Sequence, residues 1–291
     1  MVDVYEKDGM RIAVYQKPLV GIGGDFYRFL KNGNTIFILG DYSGKSLPPN
    51  FEKIYGKLKR LLFMDKSVAQ TLTDVNNYLC DRRKRTEKMI MREARKHGKK
   101  GVDLDMGFVA ASVASWSKDN NTLTYSISAQ EGLLYRAETN EMLILPKEHV
   151  CPLGIYDGVK YYEETCEMTP GDKLIFYTDG YEMRRHFTRD CPALVEHFGL
   201  EDVYRSENYL SDFAYMLFWL LREGTAEEIV RDFKAATESM NIVYREELKP
   251  VERLYREGKI KDIFGCNGKI DTLEELSAFR DDISVAVLEK M

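Results

Sequence analysis

The chain has 291 residues, enough for one large domain or two small ones. Apolar residues make up 44% and charged residues 31%, the balance of a soluble globular protein, and a formal net charge of −5 excludes an overall pull toward nucleic acid or anionic membrane. The longest apolar run, Phe213 to Leu221, has nine residues, against about twenty for a spanning helix. Met1 to Met10 holds no signal-peptide core, so a cytoplasmic protein without a membrane span is expected.

In chain order, Arg11 to Gln16 alternates as a strand does. Asp25 to Leu30 and Thr35 to Leu39 are two further strand runs, and Asn32-Gly33 between them is a hairpin signal. Phe51, Ile54, Leu58 and Leu61 recur at helical spacing after Pro48-Pro49-Asn50. Val68, Leu72, Val75, Asn76 and Leu79 predict a second helix that runs on into the basic stretch Arg82 to Lys100. Strands are predicted at Phe108 to Trp116, Leu123 to Ser128, Leu133 to Arg136, Tyr161 to Met168 and Lys173 to Thr178, with a last one at Ile283 to Leu288. From about Cys191 to Phe279 the pattern is helical. Strands, then helices, then a final strand predict an α+β fold of mostly antiparallel sheets covered by helices.

Five scattered cysteines without a C-x-x-C pair, and four histidines without H-E-x-x-H spacing, argue against a disulfide framework, a thiolate zinc site or a histidine metal site. The acids are more informative. With the hairpin turn centred on Asn32-Gly33, partner numbers sum to 65. Asp25 then faces Gly40, and Asp41 lies one position further along the same open end, with Cα atoms about 5–6 Å apart. Asp179 directly follows one predicted strand and Asp281 precedes another, so antiparallel pairing of those strands would bring them to one end too. Gly23, Gly24, Gly40, Gly44 and Gly180 crowd these acids, as a tight site with carbonyl ligands requires. Taken singly, each aspartate is a turn residue. Taken together, four neighbouring carboxylates need compensating charge, and all-oxygen ligands suit Mg²⁺, Mn²⁺ or Ca²⁺.

Gly23-Gly24-Asp25-Phe26-Tyr27, Gly40-Asp41-Tyr42-Ser43-Gly44-Lys45, Pro152-Leu153-Gly154-Ile155, Pro170-Gly171-Asp172 with Phe176-Tyr177-Thr178-Asp179-Gly180, and Asp281-Asp282-Ile283-Ser284, in that order, resemble the SpoIIE/RsbU-like branch of the metal-dependent (type 2C) protein phosphatases. The resemblance implies a four-layer α-β-β-α sandwich, one phosphatase domain over 1–291 with an inserted helical segment at about 190–280, and two Mn²⁺ or Mg²⁺ at one end of the sandwich. It implies that Asp41 bridges both metals, that Asp25 and the backbone carbonyl of Tyr42 serve one, and that Asp179 and Asp281 serve the other. Asp281 rather than Asp282 holds the first place of the family's Asp-Asp/Asn pair. The implied chemistry is attack on phosphoserine or phosphothreonine by a hydroxide bridging the two metals.

Two segments depart from the family. Ser128-Ala129-Gln130-Glu131-Gly132 replaces its Ala-Gly-His, and Leu47-Pro48-Pro49 replaces small residues. Ser43 stands two residues after Asp41, where eukaryotic-type relatives carry a histidine, so the residues assign no general acid. The resemblance further implies a bacterial signalling enzyme whose partner is a phosphorylated protein of the small anti-sigma-antagonist type, with the helices from about Pro48 to Arg95 as regulatory element. A catalytically weak phosphatase-like binding module is the alternative. The ten Lys or Arg of Arg82 to Lys100 read as a solvated helix, or as a docking surface for an acidic phosphoprotein, and not as a nucleic-acid site. Phe213 to Leu221 reads as core, with a homodimer interface as the alternative.

Overall fold

The alternating segments become two antiparallel sheets. A computed structural model describes residues 1–17, 24–32, 34–43, 56–57, 60–61, 66–96, 107–145, 151–182, 218–219, 221–235 and 282–291. The first sheet has six strands: β1 (Val2–Lys7), β2 (Met10–Lys17), β11 (Ile283–Lys290), β10 (Lys173–Tyr177), β7 (Glu131–Arg136) and β8 (Glu141–Leu145), in that spatial order. The second has five, in the order β3 (Asp25–Asn32), β4 (Asn34–Ser43), β5 (Phe108–Ser117), β6 (Thr122–Ser128) and β9 (Glu164–Glu167). Every neighbouring pair is antiparallel.

Period-2 alternation assigns each strand residue to one face. Ile12, Val14, Leu174, Phe176, Ala286 and Leu288 of the six-stranded sheet meet Phe37, Leu39, Ala114, Trp116, Tyr125 and Ile127 of the five-stranded sheet in one buried core. The opposite face of the five-stranded sheet carries Ile36, Ile38, Val109 and Val113. They pack against Val68, Leu72 and Val75 of helix α1 (Val68–Lys96). On the outside of the six-stranded sheet, Lys173 Nζ donates to the Arg222 carbonyl at 2.9 Å, and Glu289 Oε2 accepts from the Ala226 amide at 2.9 Å, where the helical segment 226–235 begins. The result is an α+β sandwich with helical cover on both outer faces. Among the described residues, no helix is long and apolar enough to cross a membrane.

Two strands escaped the sequence reading. β1 turns into β2 over Asp8-Gly9, both at positive φ (53° and 79°), as a two-residue primed hairpin turn demands, and its exposed edge position removes the apolar alternation that would have flagged it. β8 is an edge strand with the mixed pattern of exposure such strands show. The predicted strand Tyr161 to Met168 shortens to β9, because Tyr161 turns under α1 instead. Most of the predicted first helix, the residues beyond Lys96, and most of 190–280 lie outside the described residues.

Helix α1 is tied to the motif Pro152-Leu153-Gly154-Ile155 by one fully buried side chain, Asn76. Its Oδ1 accepts from the Gly154 amide at 2.8 Å, and its Nδ2 donates to the Tyr156 carbonyl at 2.9 Å. Asn76→Ala orphans both groups and is expected to cost about 1–3 kcal/mol. The measurement is urea unfolding, which should show a lower midpoint at an unchanged slope; an unchanged midpoint would show that Asn76 does not hold the loop.

Candidate functional site

The hairpin of β3 and β4 sets the first pair of acids. Its partner numbers sum to 66, not 65: Asn32 pairs with Asn34, and Asp25 faces Asp41 directly. This corrects the sequence reading by one residue, and the correction matters. Directly opposed residues share a sheet face, whereas a one-residue slip would have sent the two side chains to opposite faces. Asp25 and Asp41 lie on the same parity as Tyr27, Phe29, Phe37 and Leu39, whose side chains line the core between the sheets. Both carboxylates therefore belong to the inner face at one end of the sandwich, and both residues are only 7% exposed.

The opposite sheet closes over them. β10 and β11 pair antiparallel, Tyr177 against Val285, as the sequence reading assumed. Beyond that pair the Thr178 amide donates to the Ser284 carbonyl at 3.0 Å, and the Ser284 amide donates to Thr178 Oγ1 at 3.0 Å. Thr178 Oγ1 in turn donates to Asp25 Oδ2 at 2.8 Å. Asp179 follows immediately and heads the short helix α2 (Asp179–Glu182); its Oδ1 is buried. Gln16 on β2 donates from Nε2 to the Asp25 carbonyl at 2.6 Å.

Asp282 enters the cluster in an unexpected role. Its Oδ2 accepts from the amides of Gly24 and Asp25, so it clamps the backbone that presents Asp25. Asp281, the expected ligand, lies outside the described residues. Two glycines are required by contact here. A Cβ on Gly24 would stand 2.4 Å from the Tyr42 carbonyl oxygen and 2.9 Å from Asp41 Oδ1, and one on Gly180 would stand 2.1 Å from the Asp282 carbonyl oxygen.

The electrostatics are those of crowded acids in a dry place. Burial, with the neighbouring Asp41 charge next in weight, pushes the Asp25 carboxyl well above the usual carboxylate range; the Ser284 and Thr178 hydroxyls oppose this and Asp282 adds to it. Asp25 Oδ1 and Ser284 Oγ are both buried without a hydrogen bond of ordinary geometry among the described residues, and the Ser284 hydroxyl is the one that acts on this carboxyl beside Thr178. Among those residues, too, no three His, Cys, Asp or Glu side chains converge as a ready metal cage, since Asp282 is turned onto amides. What remains suits a hard cation. Two opposed carboxylates are buried together, and a carbonyl stands against the Gly24 gap.

Sequence reasoning did not single out Thr178, Gln16 or Gln130. Thr178 stood inside a quoted motif, between an apolar strand and Asp179. Gln130 stood inside the segment Ser128 to Gly132 that departs from the family, while Gln16 carries no local signal and reaches this end only through the sheet register.

The family model for Stage II sporulation protein E (SpoIIE) matches residues 31–208, more than half of the chain. The match contains Asp41 and Asp179, while Asp25 and Asp281 lie outside it. No curated protein matches in sequence. Among solved structures, RsbX in complex with magnesium is 16% identical with a TM-score of 0.54, covering 100% of each chain. The phosphatase domain of SpoIIE from Bacillus subtilis, solved with a fragment of its regulatory domain, is 11% identical with a TM-score of 0.54, covering 99% of this chain and 70% of that one. The SiaA phosphatase domain of Pseudomonas aeruginosa is 13% identical with a TM-score of 0.53, covering 96% and 85%. These likenesses carry the fold, two antiparallel sheets face to face. The family match itself, over more than half of the chain, shows that the chain belongs to the SpoIIE family, the branch of type 2C protein serine/threonine phosphatases that the sequence motifs resemble.

Proposed function

We propose that residues 1–291 form one phosphatase domain, with a helical insert at about 190–280, that hydrolyses phosphoserine or phosphothreonine on a bacterial signalling partner of the small anti-sigma-antagonist type. The observation that carries this reading is the direct opposition of Asp25 and Asp41 on the buried inner face, with the Asp25 carboxyl pushed upward in pKa. Two buried like charges in contact are a standing cost in a folded protein unless something positive binds them.

In this reading Asp41 would be shared between two Mn²⁺ or Mg²⁺, with Asp25 and the Tyr42 carbonyl holding one and Asp179 and Asp281 the other. Cations held there would supply an acidified water and charge to offset the phosphoryl oxygens. The protein's own residues supply position. Thr178 fixes Asp25 through Oδ2, Asp282 fixes the Gly24–Asp25 backbone, and Gln16 holds the Asp25 carbonyl. The bare Cα of Gly24 keeps the space beside the Tyr42 carbonyl and Asp41 open. Thiol chemistry has no support: Cys80 and Cys166 are pushed up in pKa, chiefly by burial, the opposite of an activated nucleophile.

A phosphatase-like module that holds its partner without turnover is the second reading, and the altered segment from Ser128 to Gly132 is what favours it. Release of phosphate from a phosphoserine peptide in Mn²⁺ separates the two: release is expected, and Mn²⁺ binding without release would favour the module. Asp41→Asn is expected to lower turnover by at least about 100-fold, the upper end of what losing an outer partner of a ligand costs; turnover near the unmutated level would defeat the two-metal assignment.

Stability should report the same charge pair. A carboxyl whose folded pKa is raised favours the folded state below its ordinary pKa, and that contribution is lost as pH rises through the raised value. The metal-free protein should therefore lose stability from acid toward neutral pH, and Mn²⁺ should restore more of it at pH 8 than at pH 5. Asp25→Asn should raise the metal-free melting temperature at pH 8, by about 2–4 °C for each kcal/mol of repulsion removed, and should shrink the Mn²⁺ effect. Scanning calorimetry with and without EDTA is the measurement; a Mn²⁺ shift equal at both pH values and insensitive to Asp25→Asn would contradict it.

Alkylation by iodoacetamide should leave turnover largely intact. Rapid inactivation that phosphate protects against would point to a thiol mechanism instead.

A further inference from the structure

Helix α1 does two different things along its length. Up to Cys80 it packs, with Val68, Leu72, Val75 and Cys80 buried. From Asp81 to Lys96 no described side chain is buried, and Met89 is 60% exposed. The helix therefore leaves the body of the protein after Cys80 and continues for about 24 Å, at about 1.5 Å per residue. Its contacts fix where it leaves. The Tyr161 amide donates to Thr73 Oγ1 at 3.2 Å, Asn76 holds the loop at Gly154 and Tyr156, and the Lys84 ammonium pairs with Asp157. Leu153 of that loop bridges to Val109, and Val109 pairs with Tyr42, the residue after Asp41. Neighbouring strands lie about 4.8 Å apart, so Leu153 stands about 10 Å from Tyr42. The exposed half of α1 starts beside the acid-pair end of the sandwich.

Positive charge is concentrated in the same half. Arg82 to Lys100 holds ten Lys or Arg and two Glu in a chain of net charge −5, so the remainder of the chain is strongly acidic. Arg85, Lys88, Arg92 and Lys96 recur at i, i+3, i+7 and i+11 and share one face with the exposed Met89. Glu87 lies on the other side, paired with Arg83. Arg85, Lys88 and Arg92 are exposed and make no ion pair or hydrogen bond among the described residues. A face that is merely solvated alternates its charges, and like charges at this spacing repel. The helix dipole favours cations only in the last turn, which leaves Arg85 and Lys88 without that reason. Tyr156, 64% exposed, stands where the helix crosses the loop. Exposed Arg, Met and Tyr together have the composition of a protein interface, while Asp81 to Lys96 holds no aromatic residue on which a nucleic-acid base could stack.

We propose that the face of α1 formed by Arg85, Lys88, Arg92 and Lys96 is the docking surface for an acidic segment of the phosphoprotein substrate. A phosphoserine at the acid pair leaves its flanking chain free to reach this face. At about 3.3 Å per extended residue, the exposed half of α1 matches about seven substrate residues, so the acidic segment begins a few positions away from the phosphoserine. The acidic remainder of the protein repels such a segment elsewhere, so the stripe orients the substrate as well as attracting it. The inference rests on the phosphatase reading above and adds how its substrate is recognised.

The test is hydrolysis, in Mn²⁺, of phosphoserine peptides that differ only in a block of about six glutamates or six glutamines, set about four residues before or after the phosphoserine. The unmutated protein is expected to hydrolyse the better placed glutamate peptide with a kcat/KM at least about 10-fold above that of its glutamine twin, chiefly through KM. The ratio should fall toward one in about 1 M salt, where the screening length is about 3 Å. The triple variant Arg85→Gln, Lys88→Gln, Arg92→Gln keeps good helix formers and should bring the ratio to within about twofold of one. Lys88→Glu with Arg92→Glu, a smaller set of changes, carries the test should the triple variant fail to fold. A ratio near one for the unmutated protein in both placements, or a ratio that the folded variants leave intact, overturns the inference and leaves the phosphatase reading standing. A ratio near one together with variant-sensitive binding of a single-stranded DNA oligonucleotide, or with variant-sensitive dimerisation in sedimentation, gives the surface to nucleic acid or to a second copy of the chain instead. No hydrolysis of any peptide by the unmutated protein overturns the phosphatase reading and the inference with it.

Discussion

The organising constraint is the pairing of Asp25 with Asp41. Two carboxylates directly opposed on adjacent antiparallel strands, both on the face that looks into the core, are held about as close as strand geometry permits. A soluble domain gains nothing from such a pair. Apolar side chains at both positions would extend the core already formed by Phe37, Leu39 and their partners. The neighbouring interactions preserve the arrangement nonetheless. Thr178 donates to Asp25, the Tyr42 amide donates to the Gly24 carbonyl at 3.1 Å, and Asp282 closes the amides of Gly24 and Asp25. Each holds an acid, or the backbone beside an acid, in place, and none supplies a positive charge. Fixing the geometry of two buried, directly opposed carboxylates is how a site for a divalent cation is built.

Much of this architecture was legible in the sequence, and the gaps have physical causes. Strands rich in apolar and β-branched residues announce themselves, whether one face is buried or both, so β2, β3, β4, β5, β6, β7, β10 and β11 were found, while the edges β1 and β8 were not. The β3–β4 hairpin was found from Asn32-Gly33, but its register came out one residue short. A turn dipeptide specifies that the chain reverses, not which residues pair, and here Asn32 faces Asn34 across the reversal. A slip of one is small along the strand and total across it, because it decides whether two carboxylates share a face. The acids were visible as motif residues. The residues that orient them, Thr178, Gln16 and the Asp282 carboxylate, act through contacts between segments far apart in the chain, and no local spacing encodes those.

Asp281 and Asp282 show how the two kinds of information divide. Only Asp282 of the two lies among the described residues. The sequence reading ranked Asp281 as ligand by family position. The structure gives Asp282 a separate task, capping the two amides that present Asp25. An acceptor-only carboxylate suits that task. On the proposed assignment the Asp-Asp pair divides its work, Asp281 for the ion and Asp282 for the backbone that presents Asp25.

The position of β11 explains why a long stretch can separate Asp179 from Asp282. β11 lies between β2 and β10 in the middle of its sheet, so the chain cannot close the six-stranded layer, or bring Ser284 and Asp282 to the acids, until its last strand is in place. Both ends of the intervening stretch are clamped, at one side by the reciprocal Thr178–Ser284 bonds and at the other by β11 itself. Loop closure costs only about 0.6 kcal/mol more for each doubling of loop length. The site is therefore indifferent to how much chain is inserted there and sensitive to how the two ends are fastened. Assembly pays in speed instead, because pairing at this separation delays closure of the sheet. Variation in this family member has room to accumulate between α2 and β11, while the residues that fasten the ends, Thr178, Asp282 and Ser284, are held to the geometry that two opposed aspartates require.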